Sequence, residues 1–337
     1  MSPSRAIRVL GAVVVAGVLL AFVLRHTSAA RVGGLLVHAP PGLLLAAATA
    51  ALAFQVARAV RYRILLVGQR PPLAMAPVLG ASMTAWALSL ALPGILGDAL
   101  FVWLLRRTAQ VPLLRGAGAA VIARGFDLTS LALIALLVAP AVGVALPAPV
   151  MAAMFSAGLA IGGAMLAMLW ATPRRAVLAR LARLPRMPGT AARLEEAAAA
   201  MSGRRRLAGM VATTLAARLV SVLEYMALFA AVGMPLAFWQ AAFTVSTRTL
   251  LLAFPIQGVA GLGTTQLWWT AALLLLGRRL AGALAASLAV HLLDLAVSLP
   301  VALLGLVLFA RVSSGATRTV PAPKPSIEPH TVEAGGD

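Results

Sequence analysis

Long apolar runs, each near the ~20 residues that an α-helix needs to cross about 30 Å of hydrocarbon, recur along this whole chain. A chain built this way does not fold around a single water-shielded core. Backbone groups in lipid must be satisfied within the element itself, so the choice lies between helices and a closed barrel. No alternating strand pattern supports a barrel. The sequence therefore predicts an all-α polytopic membrane bundle of about eight membrane segments, two of them broken or re-entrant, with a possible inverted repeat. Composition agrees: 61% of the 337 residues are hydrophobic and 11% charged, with a mean hydropathy of +0.97.

The net charge of +19 raises nucleic-acid binding as a reading, and its distribution excludes it. Arginines sit at the ends of apolar runs and in one interhelical stretch, without a recognition motif or interleaved aromatics. Basic flanks on the cytoplasmic side account for them. The chain has no cysteine, which removes disulfides and thiolate metal sites, and its four histidines are too scattered for a metal site. No metal and no cofactor is expected.

Arg5 and Arg8 precede the run from Val9 to Leu24, read as an uncleaved first helix rather than a signal peptide. A second span, Leu43 to Ala57, runs into Arg58, Arg61, Arg63 and Arg70, read as a cytoplasmic basic cluster. The run from Leu73 to Leu92 stops at Pro93, Gly94, Ile95, Leu96, Gly97 and Asp98, and only Ala99 to Leu105 remains before Arg106 and Arg107. Two half-length segments joined by a Pro/Gly break read as a hairpin entered from the cytoplasm. Gly118 to Val138 leads to a charge-free outer loop, and Val150 to Ala171 returns with Gly158 and Gly162 spaced for close helix packing.

Residues 172–206 form an arginine-rich cytoplasmic loop within a transmembrane domain spanning 1–311. Leu207 to Val232 crosses outward. A second broken pair follows, from Leu236 to Phe254 and from Leu267 to Leu276, around a break that holds Pro255, Gly261 and Gly263. The last helix, Leu280 to Ala310, precedes a Pro/Ser/Thr-rich tail, 312–337, read as disordered and cytoplasmic. Both termini are thus expected on the inner side.

The two broken regions repeat one order of parts, each ending in a span with a cation three residues before an aspartate: Arg124 with Asp127, and His291 with Asp294. Interrupted segments at matching positions in two halves point to a binding site at their interface. Chance similarity in an Ala/Leu-rich chain is the competing reading.

Of nine acids, five lie in the basic loop or the tail, leaving Asp98, Asp127, Glu224 and Asp294 among the apolar segments. Each costs about 2.5–3.5 kcal/mol at a helix centre, so each must face protein, water or a partner. Arg124, Arg218, Arg248 and His291 are the available cations. The i,i+3 spacing allows local pairs, Arg124 with Asp127 and His291 with Asp294. Such pairs either lock helices together or serve a substrate path. Arg218 and Glu224, six positions apart, read as lying on different faces, so that Glu224 needs a partner from another helix.

The run from Pro93 to Asp98, then Leu104, Leu105, Arg106 and Arg107, Val111 to Leu113, and Arg124 to Asp127 resemble the flippase-like transmembrane region of lysylphosphatidylglycerol synthases and related stand-alone membrane proteins. The break from Pro255 to Gly263 fits the same pattern, and the similarity covers about residues 5–311. Departures are Asp98 for the family's glutamate, Ile95 for its arginine, Ala123 for a glutamate, and Gln266 where an acid is common.

The resemblance implies a multi-pass protein of the bacterial cytoplasmic membrane that moves a lipid between leaflets. In the synthases a separate soluble domain transfers the aminoacyl group, and this chain leaves no room for one. Membrane lipids with anionic headgroups are the expected partners, with a homo-oligomer or a separate lipid-modifying enzyme left open. An accessory subunit and a membrane transferase are the alternative functions. No nucleotide-binding loop or Ser/His/Asp spacing supports an enzyme.

Overall fold

The computed structural model describes residues 28–68, 72–89, 94–144, 149–167, 204–252 and 261–317, together with positions 17, 21 and 25. Ten α-helices and a short 3-10 turn make up the secondary structure among them, with no strand. In chain order the helices are α1 (Ala29–Val37), α2 (Pro41–Leu65), α3 (Met75–Ser89), α4 (Gly94–Ala109) and α5 (Leu113–Val138). After the 3-10 turn come α6 (Pro149–Ala167), α7 (Arg204–Ala231), α8 (Phe238–Leu251), α9 (Thr264–Leu275) and α10 (Leu280–Thr317).

Four of them, α2, α5, α7 and α10, are long and apolar enough to cross a membrane. By contrast α3, α4, α8 and α9 have 15, 16, 14 and 12 residues. At 1.5 Å per residue none of these four reaches 30 Å.

Several expectations need correction. The segment after the first break is longer than the run Ala99 to Leu105, because α4 takes in Gly94 and continues through Arg106 and Arg107. The second span extends past Ala57 to Leu65, carrying Arg58 and Arg61 inside a helix instead of a flanking loop. The last helix continues beyond Arg311 to Thr317, into what reads as tail. Helix α1 was not expected; it starts where the Ser28 hydroxyl accepts from the Arg31 N–H and gives way to Pro40 and Pro41. The run Val9 to Leu24 apart from isolated positions, Pro93, Pro255, most of the 172–206 loop and the tail from 318 lie outside the described residues.

The bundle exposes apolar side chains and holds a set of polar ones inside its otherwise apolar core. Leu207, Val211, Leu215, Leu219 and Leu223 recur every fourth residue along α7 and are all exposed, forming a stripe suited to lipid. Gln55, Arg61, Thr214, Arg218, Glu224, Thr247, His291 and Asp294 are buried.

Small residues set the helix spacing. A Cβ on Gly80 would stand 3.1 Å from the Phe309 backbone nitrogen, and one on Gly305 would collide with Met83, so α3 and α10 touch backbone to backbone. Gly162 meets Thr129 of α5 and Gly158 meets Leu250 of α8, the close packing their spacing implies. The short helix of each half thus lies on the long helix of the other: α3 on α10, and α8 on α5. A cavity opens between these two units and is closed by α2 and α7, which run side by side.

Candidate functional site

Polar residues reach this cavity because they recur at helical spacing. On α2 the lining positions are Ala51, Phe54, Arg58, Arg61 and Tyr62; on α5 they are Ala120, Arg124, Asp127, Leu128 and Leu131. Steps of three and four residues keep each set on one stripe. Helix α7 adds Arg218, Ser221, Glu224 and Tyr225, α8 adds Arg248 and Thr249, α10 adds Asp294, and α4 adds Gly97 and Asp98. The cavity has a volume of about 250 Å³.

All four carboxylates singled out in the apolar segments therefore meet in one place, with five arginines around them. Arg218 and Glu224, expected on different faces of α7, both line it. Their six-residue spacing turns the helix by only about 120° between them, and the cavity wraps that far.

At one end Asp127 is fully engaged. Arg61 grips it with both terminal nitrogens, Nη1 to Oδ1 at 2.7 Å and Nη2 to Oδ2 at 2.9 Å, and Arg218 Nη2 donates to Oδ1 at 2.6 Å. Arg61 also donates to the Thr214 hydroxyl at 3.3 Å and is only 1% exposed. Two parallel N–H donors to a carboxylate form the strong fork geometry of arginine. This centre ties α2, α5 and α7 together. It corrects the expected local pair: among the described residues the ion partners of Asp127 are Arg61 and Arg218, which reach it across helix interfaces, and not Arg124.

Arg58 and Asp98 form a second pair at 3.3 Å, with the Arg58 guanidinium over the Tyr62 ring at 5.7 Å. Reading Arg58 and Arg61 as a cytoplasmic flank missed both. The signal was present: apolar residues resume after them at Ile64, Leu65 and Leu66, so the helix does not end at the first arginine.

The other end is arranged differently. Arg248 is held by aromatic faces, 5.2 Å from the Trp269 ring centre and 5.7 Å from that of Tyr225. Its Nε is buried without a hydrogen-bond partner among the described residues. Asp294 receives the Tyr225 hydroxyl at 3.0 Å and the Ser298 hydroxyl at 3.4 Å, so the expected local pair with His291 is not its anchor. Glu224, 6% exposed, forms no hydrogen bond or ion pair with another described residue. Arg124 and Arg248 likewise enter no ion pair among the described residues. Their guanidinium groups are the ones left to bind something else.

Of the second break and the residues after it, the described Gly261, Gly263 and Gln266 are not among the residues lining the cavity. Gly261 and Gly263 adopt φ of 69° and 81°, values that favour glycine, where the chain turns into α9. A Cβ on Gly261 would come within 3.6 Å of the His291 ring. Gln266 is wholly buried, with neither amide atom partnered among the described residues. Gly94 opens α4, one turn before Asp98. No cluster of metal-ligating side chains occurs among the described residues.

A family model described as the lysylphosphatidylglycerol synthase TM region matches residues 9–302, a stretch that contains every described residue lining the cavity. The chain belongs to that family. Comparison with curated proteins and with solved structures gives no match. Membership and the apolar helices together describe a multi-pass membrane protein of a family concerned with lipid modification or transport. The family resemblance read from the sequence holds over nearly the same residues.

Proposed function

We propose that this protein moves a lipid with an anionic headgroup, or a lipid-linked glycan, between the leaflets of the cytoplasmic membrane. The observation that carries this reading is the convergence of five arginines and four carboxylates on one cavity inside an otherwise apolar bundle. With all of them charged, one positive charge is in excess. Arg124 and Arg248, whose forks are not taken up by carboxylates, are the groups suited to a phosphate.

The cavity volume of about 250 Å³ lies below the ~300–1,000 Å³ of sites that engulf drug-sized ligands. It suits a polar headgroup, with the acyl chains left against the apolar exterior. The broken pairs α3–α4 and α8–α9 are read as re-entrant hairpins, and their exchange of partners with α10 and α5 supports an inverted repeat. Both termini and the 172–206 loop face the cytoplasm on their arginine content. Labelling of Ser202→Cys from outside intact cells would overturn that topology. The sequence carries no ATP-binding motif, so transport draws on a gradient, a partner or the lipid's own concentration difference.

A leaflet-resolved assay in reconstituted phosphatidylcholine vesicles, with fluorescently tailed phosphatidylglycerol as probe, tests the reading. Protein-dependent exchange of the probe is expected, and exchange no faster than in empty vesicles would overturn it. A second reading, an accessory subunit of a lipid-modifying enzyme, is favoured by Ile95, Ala123 and Gln266 standing where the family carries charges. It predicts exchange only when a separate enzyme is present.

A further inference from the structure

Glu224 and Asp294 stand on facing helices, α7 and α10, each less than a tenth exposed and both lining the same cavity. Among the described residues Asp294 accepts from hydroxyl donors alone, and Glu224 from no donor. Arg248 of α8, which packs against α7, lies over the rings of Tyr225 and Trp269, and α2, which packs against both α7 and α10, brings Arg58 and Arg61. His291 sits one turn before Asp294 on α10. Across the cavity the remaining charges are already matched in part: Arg61 and Arg218 hold Asp127, Arg58 holds Asp98, and Arg124 stands apart.

Two carboxylates in a dry site tolerate full ionisation only while a nearby cation offsets them. Arg248 serves that purpose while it has no other anion. Once a phosphate takes its guanidinium, both carboxylates and the phosphate compete for one positive charge. A proton taken up by the carboxyl pair cancels the incoming charge, so the net charge of the cavity is the same empty and loaded.

We propose that Glu224 and Asp294 are a proton-binding pair that takes up a proton when an anionic lipid headgroup occupies Arg248. This rests on the headgroup reading above and adds the ion that accompanies it. No bond to carbon or phosphorus changes: the proton moves from water to a carboxylate oxygen, and returns when the headgroup leaves. A lipid crossing with its proton then responds to a proton gradient, which supplies the energy source that the sequence does not reveal.

The test is calorimetric. The full chain, in phosphatidylcholine nanodiscs, is titrated with a water-soluble short-chain phosphatidylglycerol in two buffers that differ in ionisation enthalpy, which counts protons taken up on binding. Proton uptake in the wild type is expected, with affinity rising about tenfold per unit fall in pH wherever one whole proton is taken up, since anion and proton binding are reciprocal. In Glu224→Gln, which mimics the protonated acid, the uptake should vanish whatever the affinity; Asp294→Asn serves as the second variant. Binding without uptake in the wild type overturns the proton pair and leaves the headgroup site standing. Uptake that persists unchanged in both variants also overturns it. Failure of the wild type to bind the probe at all removes the headgroup reading and this one with it. Uptake with inorganic phosphate but none with the lipid overturns the assignment to a headgroup.

Discussion

The two ends of the cavity solve the problem of buried charge in opposite ways. At Asp127 one carboxylate receives three N–H bonds from two arginines, and the three residues come from three long helices. At Glu224 and Asp294 two carboxylates face one arginine that is stacked on aromatic rings and not bonded to either. The first is a clamp whose geometry is complete without a ligand. The second leaves charge unmatched at short range, which a clamp has no reason to do and a binding site does. Arg248 with loosely held carboxylates beside it, and Arg124 adding positive charge across the cavity, describe a place for an anion that arrives and departs.

The contrast breaks most easily at Asp127. Asp127→Asn should strand two buried guanidinium groups and cost about 3–5 kcal/mol, read as a large fall in detergent melting temperature or in folded yield. Adding Arg218→Gln should recover part of the loss by removing one of the stranded charges. An Asp127→Asn protein that melts like the wild type would show that the clamp is not one.

Next in size is the effect on binding at the other end. Arg248→Gln should weaken the affinity for short-chain phosphatidylglycerol about 10- to 150-fold, the equivalent of the ~1.5–3 kcal/mol of a charged hydrogen bond. The same substitution should cost less stability than Asp127→Asn, because its guanidinium is in no ion pair among the described residues and the carboxyl pair it offsets can take up a proton in its place. Equal losses of stability and of binding would erase the distinction between the two ends.

Tyr225→Phe removes the donor to Asp294 and should cost about 1 kcal/mol of stability, measured by thermal unfolding of the purified protein. A loss as large as that at Asp127 would place Asp294 in a clamp of its own. Smallest is the stability effect of Glu224→Gln, expected within about 1 kcal/mol of the wild type or on the stabilising side, since it takes a weakly compensated charge out of the interior. A melting temperature far below the wild type would reveal a structural partner for Glu224.

The sequence disclosed the helices well because hydropathy sets where they run: the spans around Gly118 to Val138 and Leu207 to Val232 match α5 and α7 within a few residues. It disclosed the acids of the site for the same reason, since a carboxylate in an apolar run must be turned inward. It did not disclose who pairs with whom. Local i,i+3 spacing suggested Arg124 for Asp127 and His291 for Asp294, whereas the bonds come from Arg61, Arg218, Tyr225 and Ser298, three of them set by helix packing that no spacing rule encodes. Arg58 and Arg61 were misplaced because an arginine near the end of a span ordinarily marks the membrane surface. The aromatic seat of Arg248 was hidden too, since Tyr225 and Trp269 meet it from two different helices.

The central claim is that the arginines left unengaged by carboxylates hold the headgroup during its passage. The direct measurement is the rate of phosphatidylglycerol exchange between leaflets of reconstituted vesicles for the wild type and for the double variant Arg124→Gln/Arg248→Gln, with folding of both confirmed by melting temperature. The account predicts a folded double variant whose exchange falls to the rate of protein-free vesicles. A folded double variant that exchanges phosphatidylglycerol at the wild-type rate would contradict it.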